Sequence, residues 1–178
     1  MISRRQFLLA STAAGIATLA APMAKARPEL ANERKLNFYN LHTGEQLSAT
    51  YWIEGHYMAD ELAAINHLLR DHRTGAVASI DTRLLTQLSL LQQKIDYAGD
   101  IHVISGYRSP KTNAGLQRAS TGVAKRSLHM QGRAMDLRLP GIELKHLREA
   151  ALSMRAGGVG YYPKSDFIHL DTGRARFW

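Results

Sequence analysis

The hydrophobic and polar positions of the chain alternate early, then follow a helical period, and then alternate again. The segments 36–41 and 46–52 alternate and contain aromatic residues, and the polar residues between them predict a β-hairpin. Leucine and isoleucine recur on one face of a helix over 60–70 and 81–97. These two segments therefore predict amphipathic helices, the first with Asp60 as its N-cap.

The second half of the chain predicts short strands around two further helices. The predicted strands are 101–105, 133–139, 159–162, 166–170 and 174–178, and the predicted helices are 113–119 and 142–155. The polar segment 120–127 predicts a mobile loop. A hairpin first, helices early and strands late favour an α+β fold, with helices packed on a small antiparallel sheet.

The first 26 residues have a pattern of their own. A short basic start is followed by an apolar run at 7–21, and Ala24 and Ala26 form a small-residue cleavage pattern. This layout predicts a secretory signal peptide, and the pair Arg4 and Arg5 predicts export by the twin-arginine route. The apolar run is shorter than the roughly 20 residues that span a bilayer. We therefore expect no stable membrane span after the signal is removed, and a periplasmic location.

Length and composition limit what the rest of the chain can be. The 178 residues suffice for one domain, so we divide the chain into a signal peptide 1–26, a leader 27–35 and a single domain 36–178. The chain has no cysteine, so any metal must be held by histidine or by carboxylates. The net charge of +8 suits an anionic envelope polymer, and no nucleic-acid-binding signature accompanies it.

Two histidines and an aspartate carry the strongest chemical signal. His129 and Asp136 stand seven positions apart around Gly132, and His169 lies on a separate β-like segment. Two imidazoles and one carboxylate are typical of catalytic Zn²⁺, with a further position open for water. A loop histidine and an acid at a strand end are the structural alternative, and His169 on its own segment favours the metal site.

Two acids and an arginine near these positions could act in hydrolysis. In a strand, Asp171 would share a face with His169 and could orient its ring, although a plain strand-end acid is the alternative. Asp166 falls in the preceding turn, where a carboxylate could be a general base. Arg108, in a turn after a strand, could stabilise an oxyanion, although an arginine in a turn is more often a solvated surface residue.

Three motifs resemble those of the zinc-dependent cell-wall peptidases of the D-Ala-D-Ala carboxypeptidase and dipeptidase group. Residues 127–136 (SLHMQGRAMD) resemble the first metal motif of that group, 166–169 (DFIH) the second, and 105–109 (SGYRS) the arginine motif. The resemblance covers about residues 36–178. Many dipeptidases of the group have glutamate where this chain has Asp166, whereas related endolysin-type peptidases use aspartate there.

The resemblance implies an α+β fold with a Zn²⁺ site at the sheet, held by His129, Asp136 and His169. It also implies a water nucleophile, Asp166 as the acid and base, and Arg108 on the oxyanion. Residues that could orient ligands or contact substrate are Ser127, Tyr107 and Asp171. The implied substrate is a peptide cross-link between peptidoglycan stem peptides.

The sequence is also compatible with two other functions. The same fold could bind peptidoglycan, or be stabilised by zinc, without turnover; the presence of both Asp166 and Arg108 argues against this, because neither is needed only to hold a metal. The chain could also be a carboxypeptidase that removes a terminal D-amino acid, which would differ from an endopeptidase in the depth of its pocket. In each case we expect a monomer.

Overall fold

An eight-stranded sheet is the centre of the computed structural model, which describes residues 32–119 and 122–178. The strands are β1 Glu33–Asn40, β2 Gln46–Ile53, β3 His56–Tyr57, β4 Ile101–Ser105, β5 Ala134–Arg138, β6 Gly158–Tyr162, β7 Phe167–Asp171 and β8 Arg176–Phe177. The helices are α1 Ala59–Leu68, α2 Thr82–Lys94, α3 Pro110–Ala119 and α4 Leu144–Met154. The strands lie in the order β3-β2-β1-β4-β5-β7-β6-β8.

The predicted hairpin is confirmed as the antiparallel pair β1 and β2. Alternation directs Leu36 and Phe38 of β1 into the core. The side chain of Asn40 stabilises the turn that follows, because its Oδ1 accepts hydrogen bonds from the backbone of His42 and Thr43, at 3.0 and 3.3 Å. Strand β1 begins at Glu33, so the last three residues of the predicted leader belong to the sheet.

The two helices predicted in the first half are present. Helix α1 packs on β2 and α2 on β1, and both bury leucine and isoleucine against the sheet. Asp81 caps α2 by accepting a hydrogen bond from the backbone N–H of Arg83 at 3.0 Å. The prediction of Asp60 as the cap of α1 is wrong: Met58 occupies that position, and Asp60 lies within the first turn, where a carboxylate favours the helix dipole.

The sheet is neither small nor wholly antiparallel, which corrects the prediction. Strands β1 and β4 pair in parallel, and so do β6 and β8. The reason is that α1 and α2 carry the chain over the sheet between β2 and β4, so that β4 returns beside β1 in the same direction. The sequence pattern predicts every strand except the two-residue β3, but it does not specify which strands are neighbours.

The core lies between the sheet and α1, α2 and α4, and it determines which face carries polar groups. On β5, Met135 and Leu137 are buried in the core, so Asp136 points to the opposite face. On β7, Ile168 and Leu170 are buried in the core, so His169 between them also points to the opposite face.

The predicted signal peptide, the first residues of the leader and positions 120–121 of the predicted loop lie outside the described residues. Within 32–119 and 122–178, no helix is long and apolar enough to cross a bilayer.

Candidate active site

Strand pairing places Asp136 directly beside His169. The two residues are partners in the antiparallel register of β5 and β7. Oδ1 of Asp136 lies 2.8 Å from Nδ1 of His169, and both residues are buried, with exposed fractions of 7% and 8%. Residues 33 positions apart thus become neighbours on the face of the sheet opposite the core.

His129 reaches the same place from a 3₁₀ turn, Leu128–Gln131, that precedes β5. The turn ends at Gly132, whose φ of 64° is left-handed, and a Cβ there would collide with the carbonyl oxygen of Ser79. Only glycine meets both conditions without strain. Nδ1 of His129 donates a hydrogen bond to the carbonyl of Gly106 at 2.7 Å, which turns Nε2 towards Asp136 and His169.

Asp171 fixes the orientation of the His169 ring from the other side. Its carboxylate is fully buried and lies 3.0 Å from Nε2 of His169. The same carboxylate accepts hydrogen bonds from the backbone of Gly158 and Gly173 and from the guanidinium of Arg176. These donors keep Asp171 ionised, so Nε2 of His169 donates to it, and Nδ1 is the nitrogen that has the lone pair when the ring is neutral.

Three electron-pair donors therefore converge. His129 Nε2 lies 3.2 Å from His169 Nδ1 and 3.3 Å from Asp136 Oδ1. Ligands placed 2.0–2.1 Å from a tetrahedral Zn²⁺ are about 3.3 Å apart. Lone pairs this close repel each other unless a positive charge lies among them, and the donor set therefore fits a metal ion. Among the described residues these three form a group that could hold one.

The pKa shifts at the site follow from the same arrangement. Burial acts to raise the pKa of the Asp136 carboxyl, but His129 and His169 outweigh burial and hold that pKa well below its usual range. Burial acts to lower the pKa of His169, whereas the carboxylates of Asp136 and Asp171 raise it overall. The site thus stabilises an anionic Asp136 and attracts positive charge.

Arg108, in the turn after β4, lies beside this group. Its guanidinium lies 3.4 Å from Asp136 Oδ2 and 3.3 Å from Ser105 Oγ, and its backbone N–H donates to the carbonyl of His129 at 3.2 Å. Burial lowers the pKa of the guanidinium, and Asp136 opposes that effect. A largely but not fully buried positive charge, held in place by these contacts, can stabilise negative charge that develops near the ligands.

The turn that holds Arg108 is anchored by Asp71, which the sequence reasoning missed. Asp71 is 2% exposed, and its Oδ2 accepts a hydrogen bond from the backbone of Ser109 at 2.9 Å. The backbone N–H of Tyr107 donates to the carbonyl of Leu69 at 2.7 Å. No sequence motif marks Asp71, because it comes from the segment after α1 and meets the turn only in the folded chain.

Asp166 is not brought into the group of ligands. It has a left-handed backbone (φ 52°) after a 3₁₀ turn, Pro163–Ser165, and its side chain is 62% exposed. Its Oδ2 forms an ion pair with Arg138 at 2.8 Å. The residues that line the adjacent cavity do not include Asp166.

A cavity of about 530 Å³ opens beside the three candidate ligands. Ser127, one of the predicted substrate residues, lines it, whereas Tyr107 packs against the hydrophobic core instead. Two groups that the sequence reasoning missed also line the cavity: the arginines Arg126 and Arg176, and the aromatic residues Tyr162, Phe167 and Trp178. The lining thus combines aromatic surface with charges of both signs, since Arg108 and Arg176 form ion pairs with Asp136 and Asp171.

Comparison with known proteins gives concordant matches. The family model Peptidase_M15_2, described as peptidoglycan L,D-endopeptidase MepK, matches residues 29–178. The peptidoglycan L,D-endopeptidase MepK of Escherichia coli (strain K12) is 48% identical over 177 residues, which are 99% of this chain and 97% of that protein. The probable peptidoglycan L,D-endopeptidase MepK of Haemophilus influenzae is 42% identical over 146 residues, 82% of this chain and 78% of that protein.

Proposed function

Because the chain belongs to the Peptidase_M15_2 family of peptidoglycan L,D-endopeptidases, we propose that it is a zinc enzyme that hydrolyses peptide cross-links in peptidoglycan. The protein is a peptidoglycan endopeptidase, and hence a hydrolase, on the strength of a family match that covers most of its length. The observation that carries the proposed mechanism is the convergence of His129, Asp136 and His169 beside Arg108 in one cavity.

Zinc is the metal that we propose for the three ligands. Two neutral imidazoles and a carboxylate suit Zn²⁺, and three protein ligands leave a position open. When bound, zinc would lower the pKa of a water molecule and polarise the scissile carbonyl.

The other residues of the site have distinct proposed roles. Arg108 would stabilise the negative oxygen that forms when the amide carbonyl is attacked, since its guanidinium is mostly buried and lies 3.4 Å from Asp136. Asp171 would hold the His169 ring with Nδ1 directed to the metal position. Ser127 would contribute a polar group to the cavity wall.

Asp166 is the proposed acid and base, and in this role it would take a proton from water and return it to the leaving amine. Its carboxylate is paired with Arg138 and exposed, so the role requires it to exchange that ion pair for a contact in the cavity when substrate binds. Asp166 follows the turn Pro163–Ser165 and directly precedes β7, so it lies at the start of the strand that carries His169.

The relatives indicate the substrate, and the substrate in turn indicates the location. We propose the L,D bond class that the relatives' name specifies, within cross-linked stem peptides. Since peptidoglycan lies in the cell envelope, we propose that residues 1–26 are a twin-arginine signal peptide, that 27–35 are a leader and that the domain acts as a monomer in the periplasm.

Digestion of purified cross-linked muropeptides tests the proposal. The protein is incubated with and without chelator, zinc is then added back, and the products are identified by mass spectrometry. We expect dimers to split with zinc and not with chelator. His129→Ala should lose both the metal and the activity, whereas His42→Ala, an exposed histidine far along the chain from the ligands, should keep both.

Other product patterns would assign another function. Loss of a single terminal residue would identify a carboxypeptidase. Binding to sacculi without any product, unchanged by Asp166→Ala, would identify a binding module.

A further inference from the structure

Trp178 is held rigidly at the edge of the sheet beyond β8. Its backbone N–H donates to the carbonyl of Val159 at 3.3 Å, and its carbonyl accepts from the N–H of Tyr161 at 3.1 Å. The indole Nε1 donates to the hydroxyl of Tyr162 at 2.7 Å. Backbone and ring are thus both fixed, and the ring has little freedom to lose when a ligand binds.

The fixed ring lies next to a candidate metal ligand because of Gly160. In the register of β6 and β7, Gly160 is the partner of His169. A Cβ on Gly160 would lie 2.8–2.9 Å from atoms of the indole, so the ring rests where a side chain would otherwise be. The Trp178 and His169 rings are 5.2 Å apart, centre to centre.

The same ring remains open to the cavity. Trp178 is 47% exposed and lines the cavity together with Tyr162 and Phe167, whose rings stack at 4.6 Å. Half-exposed aromatic rings that are anchored by a hydrogen bond are typical of binding surfaces. Phe177, the preceding residue, is 70% exposed and does not line the cavity.

From this geometry we infer that Trp178 is a substrate-contacting residue: its indole is the wall against which an aliphatic part of the stem peptide packs beside the scissile bond. The inference rests on the proposed function, and it adds a residue that determines specificity to the metal site. The aliphatic partner follows from the chemistry of the wall, because three neighbouring aromatic rings offer apolar area next to a strongly polar centre.

Steady-state kinetics with cross-linked muropeptides test the wall. We expect Trp178→Ala to raise KM about tenfold, the loss typical of removing an aromatic contact at a binding surface, with little change in kcat or in bound zinc. Trp178→Phe should recover most of the affinity, and Phe177→Ala, the matched neighbour, should behave as wild type. Thermal melting verifies that each variant is folded.

Two results would overturn the inference. One is a KM for Trp178→Ala within twofold of wild type. The other is a loss of zinc that parallels the loss of activity, which would mean that the ring serves only to support His169.

The test separates this inference from the proposed function. Binding of uncleaved muropeptide is measured in an Asp166→Asn background, with and without Trp178→Ala. Weaker binding without Trp178 supports the wall even if the wild-type protein releases no product, and equal binding refutes it even if turnover is confirmed.

Discussion

The buried carboxylate of Asp171 lies 3.0 Å from Nε2 of His169. This contact determines which nitrogen of the ring carries the proton, and so which nitrogen is available to a metal. Asp171 also accepts hydrogen bonds from Arg176 and from two backbone N–H groups. These donors stabilise its negative charge independently of His169. The candidate metal site therefore depends on a residue that is not one of its three candidate ligands.

Replacing Asp171 with asparagine should weaken metal binding about 10- to 100-fold. The amide retains the size of the side chain but removes the charge that holds the His169 tautomer. Competition with a metal-sensitive chelator measures the affinity, and thermal melting of the variant verifies the fold. Unchanged zinc affinity in folded Asp171→Asn would show that Asp171 does not orient the ligand.

Replacing Asp166 with asparagine should reduce kcat by about 10²- to 10⁴-fold while zinc stays bound, since the change removes only the proposed proton carrier. Asp166 lies outside the ligand group, so metal content should equal that of wild type. Asp100→Asn, at another exposed acid, is the matched control and should keep full activity. If Asp166→Asn turns over at the wild-type rate, the ion pair with Arg138 is a surface feature and another group is the base.

Replacing Asp71 with asparagine should lower kcat about tenfold or more through Arg108. Asp71 accepts backbone hydrogen bonds on both oxygens, from Arg73 on one and Ser109 on the other, and an amide can accept on only one. The turn that carries Arg108 would then shift, while KM and zinc content should change little. A larger change in KM than in kcat would argue that Asp71 acts on substrate binding instead.

Asp81 should make the free energy of unfolding depend on pH in the acid range. Burial acts to raise its pKa, but hydrogen bonds from Arg83 and Thr172 outweigh burial and lower the pKa to about 2, from 3.8. A lowered folded-state pKa stabilises the protein above about pH 4, and this contribution is lost as the pH falls through about 2.

Two substitutions of Asp81 separate the charge from the helix cap. Asp81→Asn keeps a good N-cap and should flatten the pH dependence between 4 and 2. Asp81→Ala should also lose about 1 kcal/mol at neutral pH, because α2 loses its cap. Denaturant titrations at several pH values measure both effects. Identical acid profiles for wild type and Asp81→Asn would contradict the argument.

The sequence by itself determined most of the helices and strands and indicated the three candidate ligands. Periodicity reports which face of a segment is buried, so the hairpin, the two early helices and the later strands could be predicted locally. The spacing of His129, Asp136 and His169 pointed to a metal because the chain has no cysteine to offer as an alternative.

Only the tertiary structure decided how these parts meet. Strand neighbours depend on the path of the chain over the sheet, which made the sheet mixed and placed Gly160 beside His169. Asp71 and Trp178 carry no local signal: Asp71 bonds to Ser109, 38 positions away, and Trp178 meets His169 only because β8 pairs with β6. Asp166 is only three residues from His169 in the sequence, but in the folded chain its side chain forms an ion pair with Arg138. Contacts between distant residues form only when the core buries its apolar faces, and local patterns do not contain them.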